Sequence, residues 1–251
     1  MKKRFKVHTK DEVKEWYQRK DIVQNYMNGK FESTMGALTH KKQIDAIKKE
    51  IKRIKAKHIM DIACGPARLS KDIRGSFRGL AVDCSDEMLK LAKRRLKESC
   101  WKVKKMDAFN IKNMNKKFDL ILTFRFLRHF DSKERKQLYK NINYLLKDNG
   151  ILIFDVANKK KWDSVRKLSQ SLRREDIVKV FDKLYYKNEV KRELKDNGFA
   201  VIKMIPVLDS YLIQYLISIF GKWTLFLVEI IEMLGGNDPW EWIVICKKKN
   251  L

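Results

Sequence analysis

Short apolar runs alternate with helical stretches along most of this chain, and that rhythm predicts the fold. The first runs are His58–Ile62, Gly79–Asp83, Trp101–Met106, Phe118–Thr123 and Ile151–Asp155. Phe118–Thr123 is nearly continuous in apolar residues, as a strand buried on both faces should be. Helices are predicted between the runs, from Arg68 to Ile73, Ser85 to Lys97 and Asp131 to Leu146. Ser85 suits an N-cap, with Asp86 and Glu87 in the first turn, where carboxylates favour the helix dipole. Asp131 is a second N-cap, and Glu134 closes a capping box with it. Asn149-Gly150 turns the chain into the fifth strand. Phe199–Val207 and Trp240–Lys247 read as two further strands. Strand and helix alternating at this spacing mean βαβ units and a parallel sheet. The expected fold is α/β: a doubly wound, mostly parallel seven-stranded sheet flanked by helices, with an N-terminal helical cap and a helical insert before the last strand.

The flanking regions read differently. Residues 10–55 are helical and polar. Val13, Trp16 and Tyr17 share one face, and a later helix runs through Gln43, Ile44, Ile47, Ile51 and Ile54. The expected division is a cap over 1–57 and a main domain over 58–251, with an apolar insert at 207–238. In the insert, Tyr211–Leu234 is long enough on paper to cross a bilayer. Its polar members, Gln214, Ser218, Lys222, Glu229 and Glu232, fall within a sector of about 80° on one continuous helix. A span is disfavoured, because the strands on either side should pair in one sheet and the insert must return to the side it left. Its three charges add to the cost. A substrate lid, a dimer face and a helix lying on a membrane surface remain open. Gly221 is a point where the segment can split into two helices packed over a pocket.

Composition adds a charge problem. Apolar residues make up 44% of the 251, which is enough for a proper core, and ten Gly and three Pro argue against long linkers. The net charge of +26 favours anionic partners: nucleic acid, an anionic membrane face, or an acidic or phosphorylated substrate. The excess is diffuse, from Lys2 to Lys249, which fits solvated helix faces at least as well. Cys64, Cys84, Cys100 and Cys246 form no C-x-x-C pair and have no His at ligand spacing, so neither a metal site nor a disulfide scaffold is expected. The basic start, Met1–Lys6, lacks the apolar stretch of a signal peptide, and a cytoplasmic location is the expectation.

The candidate chemistry sits at strand ends. In a doubly wound sheet, ligands bind at the carboxyl ends of strands where the strand order switches. The first strand ends at Asp61 and runs into Ala63-Cys64-Gly65-Pro66-Ala67, whose small residues let a ligand approach the backbone. The second ends in Asp83, where a carboxylate can accept hydrogen bonds from two ribose hydroxyls. A dinucleotide loop needs G-x-G-x-x-G, and here those positions are Ala63, Gly65 and Arg68. Arg68 fails the packing requirement, and no G-x-x-x-x-G-K-[ST] loop is present.

Asp61-Ile62-Ala63-Cys64-Gly65-Pro66-Ala67-Arg68-Leu69-Ser70 resembles the first motif of the class I (Rossmann-like) methyltransferases that use S-adenosylmethionine (SAM), an acid followed by G-x-G-x-G. Ala63 and Ala67 stand where that family usually has Gly. Val82-Asp83-Cys84-Ser85-Asp86-Glu87-Met88-Leu89 resembles the second motif, and Met106-Asp107-Ala108-Phe109 the third. Leu145–Leu152 resembles the family's L-K-P-G-G-x-L. The resemblance covers roughly residues 58–157. It implies SAM as cofactor, with Asp83 on the ribose, Met88 near the adenine and Asp107 at the adenine amino group. Asp61, Ala63, Cys64, Gly65, Cys84, Ala108 and Phe124 complete the implied cofactor site.

The loop after the fourth strand, Thr123–Phe130, borders the cofactor's methionine end in that family. His129 is the candidate base or acceptor-orienting group, with a capping or packing role as the alternative. Arg125 and Arg128 suit bidentate grip of an acidic or phosphorylated acceptor, or pairing with Asp131 and Glu134. Tyr26, Phe31 and His40 are expected either to line a lid made by the N-terminal helices or to be ordinary packing residues. The expected function is methyl transfer to a small-molecule or lipid-linked acceptor, with peripheral membrane contact through 208–234. The alternatives are an RNA methyltransferase, suggested by the charge, and a catalytically silent SAM-binding protein. Against nucleic acid stands the absence of an Asn/Asp-Pro-Pro-Tyr/Phe tetrad after the fourth strand.

Overall fold

A computed structural model of the chain describes residues 9–28, 33–114, 116–171, 180–236 and 239–249. Three helices come first, α1 (Lys10–Gln18), α2 (Lys20–Asn28) and α3 (Thr34–Ile54). They lead into β1 (His58–Ile62), β2 (Arg78–Asp83), α4 (Asp86–Arg95), β3 (Trp101–Lys105) and β4 (Phe118–Thr123). Then follow α5 (Ser132–Leu145), β5 (Leu146–Asn158), α6 (Lys159–Ser171), β6 (Leu184–Tyr185) and α7 (Lys187–Asp196). The chain ends with β7 (Phe199–Val207), α8 (Tyr211–Ser218), α9 (Leu225–Leu234) and β8 (Glu241–Lys248).

The strands form one sheet in the order β3-β2-β1-β4-β5-β8-β7, with the two-residue β6 paired to β5 off that path. The pairs from β3 through β5 are parallel, and β8 runs antiparallel to both β5 and β7. The order reverses between β1 and β4, so a ligand crevice opens outside their carboxyl ends. Sequence dictates the centre: Leu120, Ile121 and Leu122 of β4 have no exposed surface. The expected caps form as well. Ser85 Oγ accepts from the Met88 amide at 3.3 Å. Asp131 and Glu134 exchange bonds of 2.8 and 3.1 Å as a capping box on α5.

The predicted helix from Arg68 to Ile73 shrinks to one 3-10 turn, Ser70–Asp72. The reason is packing. Ile44 and Ile47 of α3 cluster with Leu69, Ile73, Ile59 and Leu120, so α3 already covers the sheet face that a crossover helix would occupy. Arg68 donates to His40 Nδ1 at 2.8 Å and to Gln43 Oε1 at 2.7 Å, which ties the crossover to α3.

The apolar insert splits at Gly221, whose φ of 104° favours glycine. Its two helices pack on α3, and none of their residues lines the crevice at the switch point. Among the described residues, no helix is long and apolar enough to cross a membrane.

A buried ion network braces the sheet from β5 to β8. The Arg128 guanidinium binds Asp182 through two nitrogens, Asp155 at 3.2 Å and Glu241 at 3.7 Å. Burial pushes the Asp182 carboxyl up, but Arg128 outweighs it and holds that carboxyl below its ordinary value. This corrects the expected acceptor grip: Arg128 is 2% exposed, with its donors turned to three carboxylates. Removing one partner of a buried ion cluster strands the others, at a cost of about 3–5 kcal/mol. Arg128→Ala is therefore expected to lose about that much in urea unfolding, and a loss below ~1 kcal/mol, the scale of a surface pair, would contradict the network.

Candidate active site

The crevice begins with three backbone twists. Ala63, Gly65 and Ala67 have φ of 56°, 53° and 58°, all in the left-handed region. L-residues pay roughly 1–2 kcal/mol for that conformation, yet two of the three are alanines. The loop therefore keeps the glycine-type backbone path without two of its glycines. A Cβ built on Gly65 would meet only Met88 Sδ, at 3.9 Å. The floor there is open, so a ligand can approach the backbone.

Asp83 closes the loop onto β2. Its Oδ2 accepts from the Gly65 amide at 2.8 Å and its Oδ1 from the Ser85 amide at 2.9 Å. Each carboxylate oxygen keeps a lone pair for a further donor, which is what ribose hydroxyls need. Burial pushes the Asp83 carboxyl above its ordinary value, opposed by those amides.

Asp107 ends the β3 region and caps the turn after it, accepting from the Phe109 amide at 2.9 Å. Its other oxygen takes Lys14 Nζ at 2.7 Å. Lys14 comes from α1, and with Val13 and Tyr17 it forms one wall of the pocket. The Ser85 hydroxyl donates to the Tyr17 carbonyl at 2.9 Å, so α1 is pinned to the start of α4.

The fourth wall follows β4. Arg125 sits at φ 56°, held by its amide's 2.5 Å bond to Asp155 Oδ1. Phe124, Phe126 and Phe130 give this wall an aromatic surface. His129 is buried. Its Nδ1 lies 2.9 Å from the Phe181 carbonyl, which needs a proton on that nitrogen. Nε2 is then the bare lone pair, facing the Tyr17 hydroxyl at 3.3 Å inside the pocket. Burial holds the imidazole below its ordinary value, so it is neutral at pH 7.

Ala63, Gly65, Asp83, Cys84, Met88, Asp107, Ala108 and Phe124 thus meet around one space, and Arg125 and His129 join them. Asp61 and Cys64 do not line it. Asp61 is buried behind the loop, bound by the Ser70 hydroxyl, and burial pushes its carboxyl up to about 7. It shapes the loop from behind. The Cys64 side chain packs in the core with Ile59 and Ala81. Burial, with Asp83 adding to it, pushes the Cys84 thiol up to about 11.

His40 also falls outside the pocket, spent on Arg68 and on Asp72 at 2.8 Å. The Tyr26 side chain and Phe31 lie outside the described residues. The lid wall is α1 instead. The Val13 and Tyr17 helical face was its signal in the sequence, but no local pattern says where that face docks. Among the described residues, no group of His, Cys, Asp or Glu is arranged to hold a metal ion.

A doubly wound sheet with left-handed turns after β1, a carboxylate at the end of β2 and an acid after β3 defines the class I SAM-dependent methyltransferases. Residues 59–150 match the model of a methyltransferase domain. It is 30% identical over 178 residues to uncharacterized protein MJ1252 of Methanocaldococcus jannaschii, a match over 63% of this chain and 66% of the relative. Among solved structures, a SAM-dependent methyltransferase from Clostridium acetobutylicum superposes with a TM-score of 0.59 at 19% identity, covering 84% of this chain and 92% of the other. Magnesium protoporphyrin IX methyltransferase from Synechocystis, solved with bound S-adenosylhomocysteine (SAH), reaches 0.68 at 13% identity, covering 96% and 100%. These likenesses establish the fold.

The left-handed alanines make a testable strain. Ala63→Gly removes roughly 1–2 kcal/mol of backbone cost and returns about 0.5–1 kcal/mol of unfolded-chain entropy. The variant is expected to melt about 2 °C higher in a thermal scan, and a lower melting temperature would show the backbone there to be unstrained.

Proposed function

We propose that the chain transfers a methyl group from SAM to a small-molecule or lipid-linked acceptor that carries an acidic group. The observation that supports it is the shared pocket: the Asp83 and Asp107 end opens onto the Arg125 and His129 end without a dividing wall. SAM would be held by Asp83 on the ribose hydroxyls and by Val82, Met88 and Phe109 around the adenine. Asp107 would share its carboxylate between the adenine amine and Lys14. Bound there, SAM supplies a methyl already activated by its sulfonium.

The protein's own contribution is placement and proton handling. Phe124, Phe126 and Phe130 exclude water beside the acceptor. Arg125 is the grip for the acceptor's acidic group, by bidentate donation. His129 Nε2 takes the proton that a hydroxyl or amine acceptor must lose. The Phe181 carbonyl fixes the tautomer that makes this possible. Tyr17 holds the ring from the other side and yields its hydrogen bond when the acceptor arrives. The solved relatives' names point the same way, toward small acceptors such as protoporphyrin and mitomycin.

Supplying labelled SAM and fractionated cell extract should put label into small molecules or lipid, whereas label confined to RNA or protein would overturn the acceptor class. His129→Asn should lower kcat about 100-fold, within the range of general-base losses, with SAH affinity unchanged. The pH profile follows from the sign of the His129 shift. A histidine held below its ordinary value is neutral and ready above pH 6.5, and it charges only further down. kcat/KM is therefore expected to be level from about pH 6.5 to 8, falling below that, and a rising limb above pH 7 would assign the base elsewhere.

A further inference from the structure

The α8–α9 hairpin is inside out. Gln214, Glu229 and Glu232 face the protein, while most of its large apolar side chains face away. Gln214 and Glu232 are buried, and the Glu232 carboxylate gathers Gln214 Nε2 at 2.6 Å and the amides of Leu208 and Asp209 at 3.0 and 2.9 Å, together with Lys42 Nζ. Glu229 is tied to Lys41 at 2.7 Å. Thr34 of α3 donates to the Gly221 carbonyl at 3.0 Å, which fixes the tip. Three members of the sequence's narrow wet stripe, Gln214, Glu229 and Glu232, thus form the anchoring side.

The outward side carries Leu212, Ile213, Leu216, Phe220, Trp223 and Met233, with Phe220 71%, Trp223 69% and Met233 86% exposed. Ile219, Phe226, Ile230 and Leu234 extend it. A monomeric protein rarely leaves so much contiguous apolar surface in water. Three polar anchors, at Glu232, Glu229 and the Gly221 carbonyl, hold the hairpin in this orientation, so it is not a loosely packed flap that could simply turn over.

We infer that the outward face of the hairpin seats on an anionic lipid bilayer surface, its apolar side chains entering the headgroup boundary. Charge selects this occupant over a second copy of the chain. A net charge of +26 repels another copy and draws the protein to anionic lipid. Both glutamates of the hairpin are turned inward onto lysines, so neither opposes an anionic headgroup. The exposed Lys222 stands between Phe220 and Trp223 at the tip, the pairing of basic and aromatic residues that suits the membrane–water boundary. None of the face's residues lines the pocket. The inference goes beyond the methyl-transfer reading and does not rest on it.

The test is flotation of the full chain with vesicles of phosphatidylcholine alone and with roughly 30% phosphatidylglycerol, over a salt series. Binding is expected to the anionic vesicles and to weaken as salt rises. Phe220→Glu with Trp223→Glu should weaken it at least about tenfold, and so should Leu212→Ser with Leu216→Ser. Lys191→Gln with Lys195→Gln, an equal charge change far along the sequence, should weaken it much less. Circular dichroism and SAH titration report folding and the pocket separately. Three results would overturn the inference: no flotation of the wild type, equal loss in the lysine variant, or a wild-type dimer in light scattering that the Phe220 and Trp223 changes convert to monomer.

Discussion

The pocket depends on one carboxylate. Asp83 takes the Gly65 amide on one oxygen and the Ser85 amide on the other. Hydrogen bonds to a charged group contribute about 1.5–3 kcal/mol each. That energy sets the left-handed loop after β1 against the end of β2. Ser85 passes the constraint on: its hydroxyl caps α4 and binds the Tyr17 carbonyl, and the Tyr17 hydroxyl meets His129. A single hydrogen-bonded chain thus runs from the cofactor loop, through the lid helix, to the candidate base. Moving Asp83 would loosen all of it.

This explains how two alanines are tolerated where glycine is the comfortable residue. The Asp83 clasp and the burial of Ala67 over-determine the loop, so the backbone cost is absorbed by contacts on both sides. The same economy appears at Arg125, where Asp155 holds the backbone at positive φ while Arg128 occupies the other Asp155 oxygen. Strain at the pocket is held by buried charge just behind it.

The central strands were legible because a parallel sheet buried on both faces demands continuous apolar runs, and β4 obeys it from Leu120 to Leu122. The caps at Ser85 and Asp131 were legible because they act within one turn. Asp83 and Asp107 were legible by their place at strand ends. What escaped were long-range choices. Nothing local shows that α3 displaces the crossover helix after Ala67, or that Lys14 and Tyr17 rather than His40 face the pocket. Arg128 reads as an acceptor grip until Asp182 and Glu241, far along the chain, are brought to it. The insert's polar stripe was seen, but its direction was not, because periodicity gives a face without saying which side meets the protein.

The central claim is that this clasped pocket takes SAM by its ribose through Asp83, and calorimetric titration with SAH tests it most directly. The wild type should bind one SAH per chain. Asp83→Ala, checked for folding by circular dichroism, should lose about a hundredfold or more in affinity, the equivalent of about 2.7 kcal/mol. Absence of binding by the wild type, or unaltered affinity in the variant, would contradict the account.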